Sequence, residues 1–258
     1  MDAPFEPARF DAEVAHYVAA RTQYAPDLIN WIAHDTQTLG RCVLDLGCGP
    51  GFIAHAIAPM AADVLGLDPS PNMIAAARLK AAPNTRFEVG SSEELSKVDA
   101  PVQLVTIGRA FHWMNRPQTL RDLDVLVARN GAIALLNDGP TDIPTNTWWK
   151  EVNAVAKSFA VIDAFNAHRM SHNWVPHEEV LFASAFSKMR SVSVYKTHQW
   201  TFERLIQHTL SRSATTEALI GDRLEEMEAK TRDVLMPYGP GPWTTLNRHT
   251  ALIAQRPV

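Results

Sequence analysis

A short apolar segment that ends in three alternate glycines constrains the fold of this chain more than any other feature. Residues 43–51 read Val-Leu-Asp-Leu-Gly-Cys-Gly-Pro-Gly, and a helical apolar pattern follows at once. A buried strand that breaks into a glycine turn and then a helix leaves backbone N–H groups free at a helix N-terminus. Glycine suits such a turn because it tolerates positive φ and lets a ligand approach the backbone closely. The segment therefore predicts a strand–turn–helix unit that binds a nucleotide-like ligand.

The spacing of the glycines separates two ligand classes that use this arrangement, dinucleotides and S-adenosylmethionine. The dinucleotide pattern Gly-x-Gly-x-x-Gly, counted from Gly47, requires glycine at position 52, where this chain has Phe52. Asp45 at the end of the strand would repel a pyrophosphate but suits the ammonium and hydroxyl groups of S-adenosylmethionine. The alternative is an ordinary turn whose glycines serve only tight packing.

This motif resembles the first motif of class I S-adenosylmethionine-dependent methyltransferases. The resemblance covers about residues 10–138 and becomes weaker beyond them. It implies a Rossmann-like, doubly wound α/β sheet of seven strands, mostly parallel with the last antiparallel, plus a helical cap. It also implies S-adenosyl-L-methionine as cofactor and S-adenosyl-L-homocysteine as product. The cofactor residues implied in the motif are Asp45, Gly47, Cys48, Gly49 and Gly51.

Two further predicted strands lead to the same site. The strand at 62–67 ends at an acid, Asp68, which is placed to accept hydrogen bonds from a ribose diol. The strand at 86–89 runs into a polar loop, and in methyltransferases resembling this one that loop lies against the adenine. The residues assigned to the cofactor from these segments are Asp68, Pro69, Met73, Ser91, Ser92 and Glu93.

The fourth predicted strand, 103–108, is followed by Arg-Ala-Phe-His-Trp at 109–113. This resembles the Ala-x-His-Trp signature of a small-molecule branch that includes enzymes similar to trans-aconitate methyltransferase. Open α/β sheets bind ligands at the carboxyl ends of their strands. We therefore expect Gly108 beside the cofactor and Trp113 beside the acceptor.

Arg109 and His112 are the predicted catalytic residues. A guanidinium group in a partly dry pocket favours an anionic or strongly polarised acceptor and helps to ionise an acidic hydroxyl. His112 could then take the proton as a general base. The alternative is that Arg109 pairs with an acid of the cap and that His112 only packs beside Trp113.

An upstream Tyr…Arg…Tyr segment also resembles this branch, where it crosses the mouth of the cofactor site. Arg21 is expected to hold the methionine carboxylate through a bidentate pair. Tyr17 is expected beside the cofactor and Tyr24 beside the acceptor. The alternative for Arg21 is an exposed position on a surface helix.

The second half of the chain carries weaker signals. We predict a cofactor-binding half at 1–140, a helical cap at 141–175 and the rest of the sheet with lid helices at 176–258. Helical spacing runs over 147–165, where Trp148 and Trp149 are assigned to the acceptor. The remaining strands are predicted at 131–137, 189–196 and 244–254, and helices at 176–185, 202–211 and 215–235.

Composition limits the classes of partner. The formal net charge of −4 and the absence of a basic run argue against nucleic acid. No segment is apolar enough to span a membrane, and the N-terminal residues do not read as a signal peptide. Cys42 and Cys48 read as reduced residues of a cytoplasmic protein. No metal site is predicted, because Pro176 interrupts the helix before the third of three nearby histidines.

The sequence thus predicts in-line methyl transfer to a small molecule by a monomer or homodimer. Proximity and alignment supply most of the catalysis in such a reaction. A protein that binds the cofactor but catalyses a non-methylating reaction, or serves as a binding module, is the alternative from another class. An NAD-dependent reductase is disfavoured by Phe52 and Asp45.

Overall fold

Apolar strands alternate with helices through the first half of the chain. A computed structural model describes residues 14–257, so the N-terminal residues on which the signal-peptide expectation rests lie outside the described part. The elements of this half are α1 (Val14–Ala20), α2 (Pro26–Asp35), β1 (Cys42–Leu46), α3 (Phe52–Ile57), β2 (Asp63–Asp68), α4 (Pro71–Arg78), β3 (Thr85–Val89), β4 (Val102–Gly108) and α5 (Arg116–Leu126).

The second half of the chain completes the sheet and adds helices above its carboxyl edge. Its elements are β5 (Val127–Pro140), α6 (Thr147–Ser158), α7 (Ala164–Arg169), α8 (His177–Phe182), β6 (Lys188–Trp200), α9 (Phe202–Leu210), α10 (Glu217–Ile220), α11 (Leu224–Leu235) and β7 (Trp243–Gln255).

The strands form one seven-stranded sheet in the order β3-β2-β1-β4-β5-β7-β6. Neighbours from β3 to β5 are parallel, whereas β7 runs antiparallel to both β5 and β6. The predicted fold class, a doubly wound sheet with its last strand antiparallel, is confirmed. β7 lies between β5 and β6, so β6 forms the edge of the sheet.

The last three strands are longer than their sequence patterns predict. β5 has 14 residues, and β6 and β7 have 13 each. Polar residues such as Asn137 and Thr250 interrupt the apolar pattern, yet they continue the ladder as a register pair. Backbone pairing therefore extends past the apolar core, and Asp138, in the added length of β5, lines the site described below.

Two predicted helices are shorter than expected. The helix expected over 147–165 ends at Ser158, and α7 begins separately after Asp163, whose side chain caps it. The helix expected over 215–235 is divided at Gly221, which adopts a φ of +55°. A left-handed residue cannot continue an α-helix, so the chain restarts at Leu224.

Two apolar clusters bury the two faces of the sheet. Val43 belongs to the cluster under α2, α3 and α4, whereas Leu44 and Leu46 belong to the cluster under α5 and α8. Asp45 has the same strand parity as Val43, so its carboxyl group enters an apolar layer. Within residues 14–257, no helix is both long and apolar enough to cross a lipid bilayer.

Candidate active site

The carboxyl ends of β1, β2, β4 and β5 open into a cavity of about 850 Å³. Its lining extends from the glycine turn across the sheet edge to the polar halves of β6 and β7. The predicted site residues that line it are Tyr17, Arg21, Gly47, Gly49, Asp68, Met73, Gly108, Arg109, His112 and Trp113. Folding thus brings together residues that lie almost a hundred positions apart in the sequence.

The glycine turn is shaped by backbone conformation and by close approach. Gly47, Gly49 and Gly51 all have positive φ, at +69°, +53° and +79°. A Cβ atom on Gly47 would lie 2.5 Å from Cβ of Ala110, which follows β4. A Cβ atom on Gly49 would meet only Met73 Sδ, at 4.0 Å. Gly47 is therefore required for packing as well as for conformation, whereas Gly49 leaves open space beside the cavity.

Asp68 ties the end of β2 to this turn. Its Oδ2 accepts a hydrogen bond from Gly49 N–H at 2.8 Å, and its Oδ1 accepts one from Ser70 N–H at 3.0 Å. The register of β1 with β2 brings the two segments side by side. A carboxylate oxygen accepts more than one hydrogen bond, so these contacts are compatible with the predicted ribose contact.

Asp45 lies under the turn and does not line the cavity, contrary to the expectation that its carboxylate faces the ligand. It is fully buried; Oδ1 accepts a bond from Thr106 Oγ1 at 2.7 Å and Oδ2 one from Ala54 N–H at 3.1 Å. These bonds join β1 to β4 and to the first turn of α3. Burial raises the pKa of Asp45 to about 7, although both hydrogen bonds act to lower it. The side chain organises the turn from below.

We expect Asp45→Asn to reduce the loss of stability at alkaline pH. Because the pKa is raised in the folded state, Asp45 contributes most to the free energy of unfolding below its unfolded pKa of about 4. This contribution is lost as the pH rises through about 7. Between pH 5 and 9 the free energy of unfolding of the wild type should fall by about 2–3 kcal/mol more than that of the variant. Asparagine keeps both contacts, because the Thr106 hydroxyl can accept as well as donate.

Urea denaturation of both proteins at pH 5 and pH 9 measures this difference. Ionisation of the other groups is common to the two proteins and cancels in the comparison. Parallel pH dependence in wild type and variant would contradict a raised pKa at Asp45.

Arg109 is held rigidly at the end of β4. Its φ is +58°, a left-handed conformation that is uncommon outside glycine and asparagine. Nη1 lies 3.2 Å from Asp138 Oδ1, Nη2 donates to Thr22 O at 3.2 Å, and the guanidinium stacks 5.0 Å from the Tyr24 ring centroid. Burial alone would lower the pKa of Arg109, but the neighbouring Tyr24 and Asp138 raise it. The group therefore remains charged.

Arg109 forms an ion pair, but its partner is not an acid of the predicted cap, as the sequence-based alternative supposed. The acid is Asp138, at the end of β5, and not a residue of the predicted 141–175 cap. Asp138 also accepts a hydrogen bond from Thr22 Oγ1. Asp138 balances the charge of Arg109. The electrostatic field of Arg109 at a bound acceptor is therefore weaker than the field of an unpaired arginine would be.

His112 lies in a tight turn, Phe111–Trp113, against other rings. Its centroid is 5.0 Å from that of Trp113 and 6.5 Å from that of His177. Burial, followed by the charge of Arg169, lowers the pKa of His112 to about 3. At neutral pH the ring is uncharged and is a weak base, which removes much of the driving force for general-base catalysis. The surroundings favour a contact role for His112.

The comparisons with known proteins agree on one family. Residues 43–131 match the family described as a methyltransferase domain. An uncharacterized methyltransferase of Mycobacterium tuberculosis is 29% identical over 127 residues, which are 49% of this chain and 51% of that protein. A probable S-adenosylmethionine-dependent methyltransferase of Saccharomyces cerevisiae is 27% identical over 128 residues, 47% of this chain and 44% of the other. These matches span about half the length of the curated relatives.

A solved structure of similar fold covers the whole chain. It is an S-adenosylmethionine-dependent methyltransferase from Thiobacillus denitrificans in complex with S-adenosyl-L-homocysteine. It has 15% sequence identity, a TM-score of 0.53 and 100% coverage of both chains. Residues 43–131 are therefore similar to a methyltransferase domain, and the likeness to the solved structure shows the fold alone.

Several residues assigned from the methyltransferase resemblance lie outside the cavity lining. Tyr24 is buried under Arg109 and donates from its hydroxyl to Leu136 O at 3.1 Å. Trp148 and Trp149 contact each other and Trp200 or Trp243 in a separate aromatic cluster. The other assigned residues outside the lining are Cys48, Gly51, Pro69, Ser91, Ser92 and Glu93. Their cofactor or acceptor roles stay predictions.

The cavity also has lining residues that sequence reasoning missed. Arg248 lies in β7, Arg169 ends α7 and Arg212 follows α9. Arg248 and Thr250 alternate along β7, and this period-2 pattern could have placed them on one face. Arg169 is the last residue of a short helix and Arg212 lies in a loop, so neither belongs to such a pattern. Among residues 14–257, no group of three His, Cys, Asp or Glu side chains is placed to hold a metal ion. His177, the third of the nearby histidines considered in the sequence, has its Nδ1 3.1 Å from Arg116 Nη1.

Proposed function

We propose that this chain transfers the methyl group of S-adenosyl-L-methionine to a small anionic acceptor. The main support is one cavity of about 850 Å³ that extends from the glycine turn to a group of lining arginines beyond β4. This group, here called the cationic wall, consists of Arg21, Arg109, Arg169, Arg212 and Arg248. Ligand pockets commonly measure about 300–1,000 Å³, so this volume suits the cofactor with a small second molecule. The Ala-x-His-Trp segment at 110–113 supports placement in the small-molecule branch.

The lining fits the cofactor at both ends. The open space beside Gly49 and Met73 suits a flat nucleoside, and the Asp68 carboxylate is positioned for its ribose. At the other end, Arg21 is half-buried and its buried Nε has no hydrogen-bond partner among the described residues, as expected for a group that binds a carboxylate. The bound cofactor supplies an activated methyl group on a sulfonium, and the chain supplies alignment and exclusion of water.

The charge of the lining supports an anionic acceptor. Five arginines but only three carboxylates line the cavity, although the whole chain has a formal net charge of −4. The side chains of Arg169 and Arg248 have no ion-pair or hydrogen-bond partner within residues 14–257. Arg169 is close enough to His112 for its charge to lower the pKa of that ring, and Arg248 shares one face of β7 with Thr250. These two cations are free to bind an anionic group of the acceptor.

An acceptor that is already ionised also agrees with the weak basicity of His112. A carboxylate oxygen or a phenolate needs no proton removed before methyl transfer. A neutral hydroxyl would need a base, and the pKa of about 3 makes His112 a poor one at neutral pH. The proposed role of His112 and Trp113 is therefore to form an apolar wall against the acceptor.

We expect Arg248→Glu to raise the KM for an anionic acceptor about ten-fold or more, since a hydrogen bond to a charged group contributes about 1.5–3 kcal/mol. The assay follows S-adenosyl-L-homocysteine formation with a panel of small carboxylic acids and phenols beside their uncharged esters and ethers. Arg129→Glu is the matched control, because Arg129 is exposed at the opposite end of β5 and outside the cavity lining.

Equal effects of the two substitutions would contradict an anionic acceptor. Cofactor binding without methyl transfer to any panel member would favour the non-methylating alternative.

A further inference from the structure

Two arginines from distant parts of the chain meet on one wall of the cavity. Arg21 follows α1 and Arg212 follows α9, and both line the cavity. Burial lowers the pKa of Arg212 to about 10, and the charge of Arg21 lowers it further. Burial also lowers the pKa of Arg21. The two guanidinium groups are therefore both desolvated and close enough to repel each other.

The partners of both groups are uncharged. Arg21 Nη2 donates to Ser211 O at 3.0 Å, and its guanidinium lies 5.1 Å from the Tyr17 ring centroid. Arg212 Nη1 donates to Asn153 Oδ1 at 2.6 Å, and its Nη2 lies 3.2 Å from His208 Nδ1. Neutral acceptors fix the orientation of the two side chains but do not balance their charge.

Within residues 14–257, no carboxylate forms an ion pair with either arginine. Among the described residues, Asp138 is the one carboxylate whose charge favours ionised Arg21, and it is already engaged by Arg109 and Thr22. Burying two like charges without a counterion is costly. An anionic ligand bound beside the two guanidinium groups would supply the missing counterion.

We infer that Arg21 and Arg212 together bind the α-carboxylate of S-adenosyl-L-methionine, an inference that rests on the proposed function. Tyr17, beneath Arg21, stacks 6.3 Å from Phe52, the first residue of the helix after the glycine turn. Asp68 and Met73 mark the nucleoside end, so the arginines lie at the amino-acid end. The carboxylate is the only anionic group of the cofactor. The sequence predicts Arg21 alone, and Arg212 is the added partner.

His208 is a positioning residue for Arg212. Burial and the charges of Arg212 and Arg21 lower the pKa of His208 well below its ordinary value, so its ring is neutral. A neutral ring with the proton on Nε2 can accept from Arg212 through Nδ1. Trp149 and Trp200 hold the ring edge-to-face, with centroids at 5.3 and 5.2 Å. Trp149, predicted to touch the acceptor, would thus act on the cofactor site through His208.

Calorimetry with two ligands tests the assignment. The ligands are S-adenosyl-L-homocysteine and its decarboxylated analogue, which keeps the adenosine, the thioether and the amine. The wild type should prefer the carboxylated ligand. Arg212→Gln should weaken that ligand at least ten-fold and leave the analogue within about two-fold, so the preference disappears. Arg212→Lys should give an intermediate loss, because lysine keeps the charge but lacks the planar fork.

Controls separate this role from a structural one. Arg232→Gln, an exposed position outside the cavity lining, should leave both affinities unchanged. His208→Gln keeps an acceptor for Arg212 and should retain much of the preference, whereas His208→Leu should lose it.

The inference is overturned if Arg212→Gln binds S-adenosyl-L-homocysteine as the wild type does, or weakens both ligands equally. A wild type that binds neither ligand would overturn the proposed function, and this assignment with it.

Discussion

Replacing Asp68 by alanine is expected to weaken S-adenosyl-L-homocysteine binding by about 100-fold or more. The substitution removes the carboxylate that is proposed to bind the ribose, and hydrogen bonds to a charged group contribute about 1.5–3 kcal/mol each. It also leaves the N–H groups of Gly49 and Ser70 without their acceptor, so the glycine turn loses its tie to β2. Direct contact and turn geometry are lost together. Calorimetry at constant pH and salt measures the change.

The matched control is Asp63→Ala. Asp63 begins the same strand and forms a surface ion pair with Arg86 at 3.0 Å, remote from the cavity lining. Exposed pairs contribute little to stability, so this variant should fold and bind as the wild type does. Unchanged affinity of Asp68→Ala would refute the placement of the nucleoside at the end of β2.

Gly47→Ala is expected to destabilise the protein by about 2–5 kcal/mol and to abolish measurable cofactor binding. A left-handed φ costs a non-glycine residue about 1–2 kcal/mol, and overpacking costs about 1–3 kcal/mol. Here the added methyl would lie 2.5 Å from Cβ of Ala110, so the turn or the end of β4 must move. Movement of either segment displaces backbone that lines the cavity.

Gly40→Ala separates the two causes. Gly40 has nearly the same φ, +66°, but a Cβ atom there would meet nothing within 4 Å. It should therefore show the conformational cost alone, about 1–2 kcal/mol, with normal cofactor affinity. Urea denaturation gives the stability of both variants. If the two variants lose equal stability and both still bind, the contact with Ala110 has no role in holding the turn.

The cofactor half of the fold could be predicted because its signals are local. The run 43–51 contains a strand, a turn and a helix start in consecutive residues, and β2 to β4 follow within a few residues of their predicted bounds. Periodicity and glycine chemistry act over such short distances. Asp45 shows the limit of this reasoning. The sequence reveals an acid at a strand end, but only the register with Thr106 shows that it points under the turn.

The cationic wall could not be predicted for a different reason. Arg212 becomes a candidate only when α9 is packed against α1, which brings it to Arg21 across 191 positions of sequence. Arg169 ends a helix whose separate start depends on a cap at Asp163. Similarly, Trp149 is assigned to the acceptor from its place in the predicted cap, and only tertiary packing shows that its ring contacts His208.

The place of β7 between β5 and β6 has a consequence for how the protein is made. β5 and β6 share no ladder with each other, so each lacks a partner on that side until residues 243–255 have been synthesised. A nascent chain that ends before Trp243 exposes unpaired backbone on both strands, and such edges can pair with other chains. β6 carries polar and charged residues along much of its length, which oppose that pairing. Pairing of β7 therefore completes both the sheet and the part of the cavity lining that β7 supplies.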